Sequence, residues 1–231
     1  KWYTPEIDQK VEDLLKQMTV EEKLGYIGGV NWMYTKSIDR LGIHRMKMSD
    51  GPQGLGTDGK STAYPSTVTL AATWNENLAY QYGKALGRDC RARNVNVILG
   101  PAVNIYRAPM CGRNFEYMGE DPYLTSRICV GYIKGVQDQG VMATVKHFVA
   151  NNSDYDRNNI SNDIDERTLN EIYFPAYKAA IQEAEVGAVM TSYNLMNGIY
   201  TTENPWLLKE VLRNQWGFKG LVMSCLLYTS P

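Results

Sequence analysis

Short runs rich in β-branched residues alternate with longer amphipathic stretches along nearly the whole chain, and this alternation leaves few folds open. Strand-like runs lie at 45–48, 67–71, 94–99, 141–145, 186–191 and 220–224. Helical periodicity covers 5–18, a short stretch opened by Thr19, and stretches ending near 93, 139, 184 and 215. Thr19 and Glu22 have the spacing of a capping box, in which hydroxyl and carboxylate each take a free backbone N–H. Thr73 and Glu76 repeat that spacing before the helix ending near 93. The later helices are expected over 123–139, 166–184 and 205–215, the last with Pro205 in its first turn.

Strand, loop and helix repeated in this order predict an α/β fold: a parallel sheet closing into a (β/α)8 TIM-like barrel. An open doubly wound sheet is the competitor. Against it, the stretch Asp50-Gly51-Pro52-Gln53-Gly54-Leu55-Gly56 has glycines, but its proline and acidic start do not match a dinucleotide fingerprint.

Composition removes several function classes. Of the 231 residues, 44% are hydrophobic and 21% charged, with a formal net charge of −1. That balance excludes the electrostatic footprint of a nucleic-acid binder. No run reaches the roughly 20 apolar residues of a membrane-spanning helix. Cys90, Cys111, Cys129 and Cys225 have neither CxxC pairing nor histidines at metal-ligand spacing, so free thiols and no metal are expected. Sixteen Tyr and five Trp stand against four Phe, a bias toward rings with an apolar face and a hydrogen-bonding tip. Sugars are bound by such rings.

Polar residues gather just beyond the ends of several predicted strands, where barrel enzymes build their sites. Asp50 follows the first run, Arg113 the third, Lys146 and His147 end the fourth, and Tyr193 follows the fifth. Each also has a plain structural reading. Asp50 before Gly-Pro suits a turn, Arg113 could pair with Glu116, Glu120 or Asp121, and Tyr193 could be core. Neighbouring strand residues face opposite sides, so a pocket using both Lys146 and His147 needs a bend, and a strained or cis peptide is expected there.

At these residues the sequence resembles glycoside hydrolase family 3, N-terminal domain, over about 5–224. The stretches that carry the likeness are Met48-Ser49-Asp50-Gly51-Pro52, Gly112-Arg113-Asn114-Phe115-Glu116 with Gly119-Glu120-Asp121-Pro122, Val145-Lys146-His147-Phe148, Asp165-Glu166-Arg167-Thr168-Leu169, Met190-Thr191-Ser192-Tyr193-Asn194, and Gly217-Phe218-Lys219-Gly220-Leu221-Val222-Met223-Ser224.

The resemblance implies an exo-acting, retaining β-glucosidase that works by double displacement without a cofactor. Its substrate is a β-linked oligosaccharide or glucoside. Asp50, Arg113, Lys146, His147, Met190 and Tyr193 are then the residues that surround the terminal sugar. Phe115-Glu116-Tyr117-Met118 and Asn151-Asn152 are closer to the β-glucosidase branch than to the xylosidase branch. Asp165, Glu166 and Arg167 are expected to cap and brace a helix. For the parent enzyme the periplasm or the exterior is favoured over the cytoplasm, and the resemblance leaves the oligomeric state open.

The likeness stops abruptly. After Val222-Met223-Ser224 the family has its nucleophilic Asp, and this chain has Cys225. The acid/base Glu is expected beyond the C-terminus, so no catalytic carboxylate is expected in the chain as it stands. Residues 225–231 read as the in-frame translation of a transposon-end sequencing adapter. The expectation is an incomplete barrel domain over 1–224, a non-native tail over 225–231, and no turnover by the chain itself. Two other classes stay open: a Schiff-base lyase or aldolase using Lys146, and a sugar-binding protein without catalysis.

Overall fold

The computed structural model describes residues 3–56 and 59–225. Leu226–Pro231, and with them most of the expected foreign tail, lie outside the described residues.

Two helices open the chain, α1 (Pro5–Gln17) and α2 (Val20–Ile27), the second closed at its start by the reciprocal Thr19–Glu22 box. Then come β1 (Met48–Asp50), α3 (Thr67–Ala71), α4 (Glu76–Ala92), β2 (Val97–Leu99), α5 (Pro122–Gln137) and β3 (Met142–Phe148). A two-residue strand β4 (Ser161–Asn162) precedes α6 (Glu166–Thr168), which widens over Leu169–Tyr173 before α7 (Pro175–Gln182). The chain continues through β5 (Ala188–Thr191), β6 (Leu195–Met196), β7 (Ile199–Tyr200), a wide-wound helix at Trp206–Gln215 and β8 (Leu221–Met223). Among the described residues no helix is long and apolar enough to cross a membrane.

Strands β1, β2, β3, β5 and β8 pair in that order, every pair parallel, and form part of a barrel wall. Parallel pairing puts all their C-terminal ends at one rim. Alternation of side chains then sorts the core into two layers. Ile98, Ala143, Val145 and Val189 face outward and pack under the helices. Val97, Leu99 and Met190 face the interior with Cys225, against Met33, Met46, Met48, Met142 and Met223. Methionine suits such an irregular lumen because its unbranched thioether fills gaps of any shape.

Helices α4 and α5 approach closely through glycines. A Cβ on Gly83 would lie 2.1 Å from the Tyr132 carbonyl oxygen, and one on Gly135 would lie 2.1 Å from that of Tyr80. Only hydrogen fits at either place.

The structure departs from the sequence expectations locally. The run 67–71 is the helix α3, not a strand: the Ser66 hydroxyl caps Thr69 N–H, and the buried Thr67 hydroxyl donates to the Glu116 carbonyl at 2.6 Å. Asn75, not Thr73, caps α4, accepting from Leu78 N–H at 2.9 Å, while Thr73 turns back to the Leu70 carbonyl. The single helix expected over 166–184 is interrupted at Phe174, ahead of Pro175. Pro205 does open the first turn of the last helix, with helical dihedrals, and Asn204 Oδ1 caps that turn by accepting from Leu207 N–H at 3.1 Å. The small sheet β4–β6–β7 was not legible in the sequence. Asp165 does cap α6, taking Thr168 N–H at 3.0 Å, and Arg167 pairs with Glu171 at 2.9 Å.

Candidate active site

The rim at the strand C-termini collects the charged residues. Lys146, 2% exposed on β3, reaches inward to Asp50 on β1, Nζ to Oδ1 at 3.0 Å. It also lies 3.6 Å from Glu116, which is buried in the loop after β2. The other oxygen of Glu116 accepts a hydrogen bond from Arg113 Nε. Cation, anion, cation and anion therefore follow one another from Arg113 to Asp50.

Lys146 and His147 share this site because the strand breaks step. The Lys146–His147 peptide is cis, as is Phe148–Val149, and the β3–β5 register shifts between Val145 and Phe148. Plain alternation would put Phe148 on the side of Lys146. Instead Phe148 packs in the outer layer against Phe174, Tyr177 and Trp216. The expected bend is present.

Asn104 holds His147 in place. Its Oδ1 accepts the His147 backbone N–H at 2.9 Å and its Nδ2 donates to the His147 carbonyl at 3.0 Å. Tyr177 hydroxyl donates to the same carbonyl at 2.7 Å. These backbone partners fix which way round the Asn104 amide sits, so Oδ1 faces His147 Nδ1, at 3.3 Å. A carbonyl oxygen can only accept, which assigns the ring proton to Nδ1 and leaves Nε2 as an acceptor. Nε2 is buried and makes no hydrogen bond to any described residue. Burial first, then the charges of Arg113, Lys146 and Arg157, hold the His147 pKa well below its usual 6.5. The imidazole is neutral at neutral pH.

The other groups are tuned by the same neighbours. Burial pushes the Asp50 carboxyl up, but the Lys146 and Arg113 charges and the Gly51 N–H together outweigh it, and the net shift is downward. Burial works against the charged Arg113, and the Glu116 carboxylate more than reverses it. Burial raises the Tyr117 phenol, which accepts from Asn151 Nδ2 at 2.6 Å and meets the His147 ring edge to face at 6.3 Å.

Met190 and Tyr193 lie on the inner side, packed in the same cluster as Cys225. Arg157 sits over the Tyr193 ring at 4.8 Å and is itself paired with Asp154 at 2.8 Å. The Cys225 position is close enough to Arg113 to act on its charge. The structure therefore brings Asp50, Arg113, Lys146 and His147 together, with Met190 and Tyr193 beside position 225. An open cleft of about 310 Å³ adjoins them, bounded by Asp50, Arg113, Phe115, Glu116 and the Gly51–Leu55 loop. Among the described residues no three His, Cys, Asp or Glu side chains converge as metal ligands.

Residues 16–228 match the glycosyl hydrolase family 3 N terminal domain. The chain belongs to this family. It is 48% identical over 220 residues to a β-glucosidase of Rhizobium radiobacter, covering 93% of this chain and 27% of that protein. It is 45% identical over 226 residues to thermostable β-glucosidase B of Acetivibrio thermocellus, covering 93% of this chain and 30% of the relative. In three dimensions it resembles β-glucosidase 3B from Thermotoga neapolitana in complex with glucose, with a TM-score of 0.89 and 41% identity over 94% of this chain and 34% of that one. The family 3 chain thus spans about a third or less of the length of these relatives. The fold is the α/β TIM-like barrel of the family's N-terminal domain, of which the five parallel strands are a part.

The sequence reading weighed Glu116 as a salt-bridge partner, took Glu116, Tyr117 and Asn151 otherwise only as marks of the β-glucosidase branch, and passed over Asn104 and Tyr177. For Asn104 there was a signal. It is the lone polar residue in Pro101-Ala102-Val103-Asn104-Ile105, and a polar side chain in a buried run has a specific partner.

Proposed function

We propose that this chain is the sugar-gripping part of a retaining, exo-acting β-glucosidase. In this reading Asp50, Arg113, Lys146 and His147 hold the hydroxyls of the terminal β-glucosyl unit, and Met190 and Tyr193 line its inner wall. The observation that carries it is the neutral, buried His147 Nε2, without a partner among the described residues and set beside a row of balanced charges. Such a place offers an acceptor to a hydroxyl donor, while the carboxylate of Asp50 takes hydroxyl protons and Lys146 and Arg113 donate. Fixed donors and acceptors that tighten as the ring flattens toward an oxocarbenium ion lower the barrier rather than merely binding substrate.

Hydrolysis with retention needs a nucleophilic carboxylate under the anomeric carbon and a second carboxyl group about 5 Å away. The first belongs at position 225, where this chain has a cysteine, and the second belongs to the part of the parent enzyme not represented here. Residues 225–231 are proposed to be foreign to the gene, which sequencing of the source locus past codon 224 tests. The Schiff-base alternative is disfavoured because the Lys146 nitrogen is engaged by two carboxylates rather than free to attack a carbonyl.

Calorimetric titration of the 231-residue chain with D-glucose is the direct test. Binding that is lost in K146M supports the reading, and a folded chain that does not bind glucose refutes it. The chain itself is expected not to cleave an aryl β-glucoside, whereas the protein expressed from the complete gene is expected to do so.

A further inference from the structure

Glu116 stands between the buried Lys146 and the partly buried Arg113, and its position raises the question of what a carboxylate does there. It is 2% exposed, its Oε1 accepts from Arg113 Nε, and its Oε2 lies 3.6 Å from Lys146 Nζ. Neither oxygen is turned toward solvent. With Asp50 on the far side of Lys146, the four charges sum to zero. Arg157, the next cation, is paired with Asp154 at 2.8 Å, and His147 is uncharged. The cup therefore offers a ligand several charged donors and acceptors but no net charge.

We propose that Glu116 is a positioning and specificity residue: by neutralising one of the two cations it makes the cup select an uncharged hexose over the corresponding uronate. This rests on reading the cup as a hexose site. Without Glu116, Arg113 and Lys146 would face Asp50 alone with a surplus of one positive charge, and a partly desolvated cation without a partner attracts a carboxylate strongly. With Glu116 present, a uronate would have to bring its own negative charge into a site that has already balanced its cations, and nothing repays its desolvation. A neutral sugar carries no such cost. Glu116 also limits where the two cations can point, since each is drawn to one of its oxygens. Lys146 is thereby held between β1 and the loop after β2, instead of following the half-exposed Asp50 carboxylate outward.

The test uses the full chain, with D-glucose and D-glucuronate as probes in calorimetric titration, on the wild type, E116Q and E116D. Wild type is expected to prefer glucose. E116Q keeps the size and shape of the side chain and removes its charge, so the ratio of glucuronate to glucose affinity is expected to rise at least ten-fold. E116D keeps the charge with a shorter reach, so both affinities fall while their ratio stays within about three-fold of the wild type. A merely structural Glu116 would weaken both sugars alike in E116Q, and an unchanged ratio there overturns the inference while leaving the glucose site standing. Should E116Q fail to fold, E116D decides alone, because a ten-fold change of ratio with the charge retained refutes a charge-based selectivity. A folded wild-type chain that binds neither sugar overturns the hexose reading itself, and the inference with it.

Discussion

Replacing Asn104 by alanine isolates the support of the cup from the cup itself. Asn104 makes two backbone contacts to His147, but the two lose unequal amounts when the amide goes. The His147 carbonyl keeps the Tyr177 hydroxyl at 2.7 Å, whereas among the described residues the His147 N–H has Asn104 Oδ1, at 2.9 Å, as its acceptor. A buried N–H left without a partner costs about 1–3 kcal/mol. The space vacated by the amide adds about 1 kcal/mol where the surroundings relax only partly. N104A is therefore expected to lose about 2–4 kcal/mol of stability. Y177F removes one of two donors to a single carbonyl, which Asn104 Nδ2 continues to serve at 3.0 Å, and should lose only about 1 kcal/mol. Urea unfolding followed through tryptophan emission measures both, since Trp216 is buried in the outer core. The denaturant dependence should stay unchanged while the midpoint falls. A Y177F loss equal to or larger than that of N104A would refute the assignment of Asn104 as the holder of the His147 backbone. N104A should also weaken glucose binding, because the ring loses the acceptor that fixes its tautomer, and Y177F should leave glucose binding near the wild-type value.

Three further outcomes follow from packing and charge. G135A places a Cβ 2.1 Å from the backbone oxygen of Tyr80, so α4 and α5 must part; overpacking of this kind costs about 1–3 kcal/mol, the gain in helix propensity returns at most about 1, and a thermal melt that does not fall contradicts the contact. Because the folded His147 pKa lies well below 6.5, unfolding takes up a proton as the pH drops under that value. Stability should be insensitive to this group above pH 6.5 and decline below it by up to about 1.4 kcal/mol per pH unit. H147N should lack that decline, and an identical slope in the variant would refute a buried neutral imidazole. Asp50, with its folded pKa below the usual 3.8, adds stability that is complete above that pH and fades as the pH falls further. D50N should flatten this part of the acid limb in chemical denaturation, and an unchanged limb would argue against the Lys146 ion pair.

Features decided within a few neighbouring residues could be read directly from the chain. The alternation of strand-like and helical stretches, the Thr19–Glu22 box, the Asp165 cap and the clustering of polar residues after strands all depend on local spacing, and all are seen in the structure. The need for a bend at Lys146–His147 was also legible, because adjacent strand residues cannot otherwise serve one pocket.

The misreadings arose where a distant partner overrode a local preference. Thr67-Val68-Thr69-Leu70-Ala71 has the β-branched look of a strand, yet it coils because Ser66 caps it and the Thr67 hydroxyl reaches the Glu116 carbonyl, forty-nine residues away. The charge pattern of the cup belongs to the same class. Lys146 meets Asp50 across ninety-six residues, and no spacing in the chain says which of Glu116, Glu120 and Asp121 will be drawn in to neutralise Arg113 and Lys146. The neutral state of His147 likewise follows from burial and three cations assembled from separate loops and strands. Coulomb attraction and desolvation depend on distance through space and on what excludes water, and neither exists until the parallel sheet has brought its strand ends to one rim.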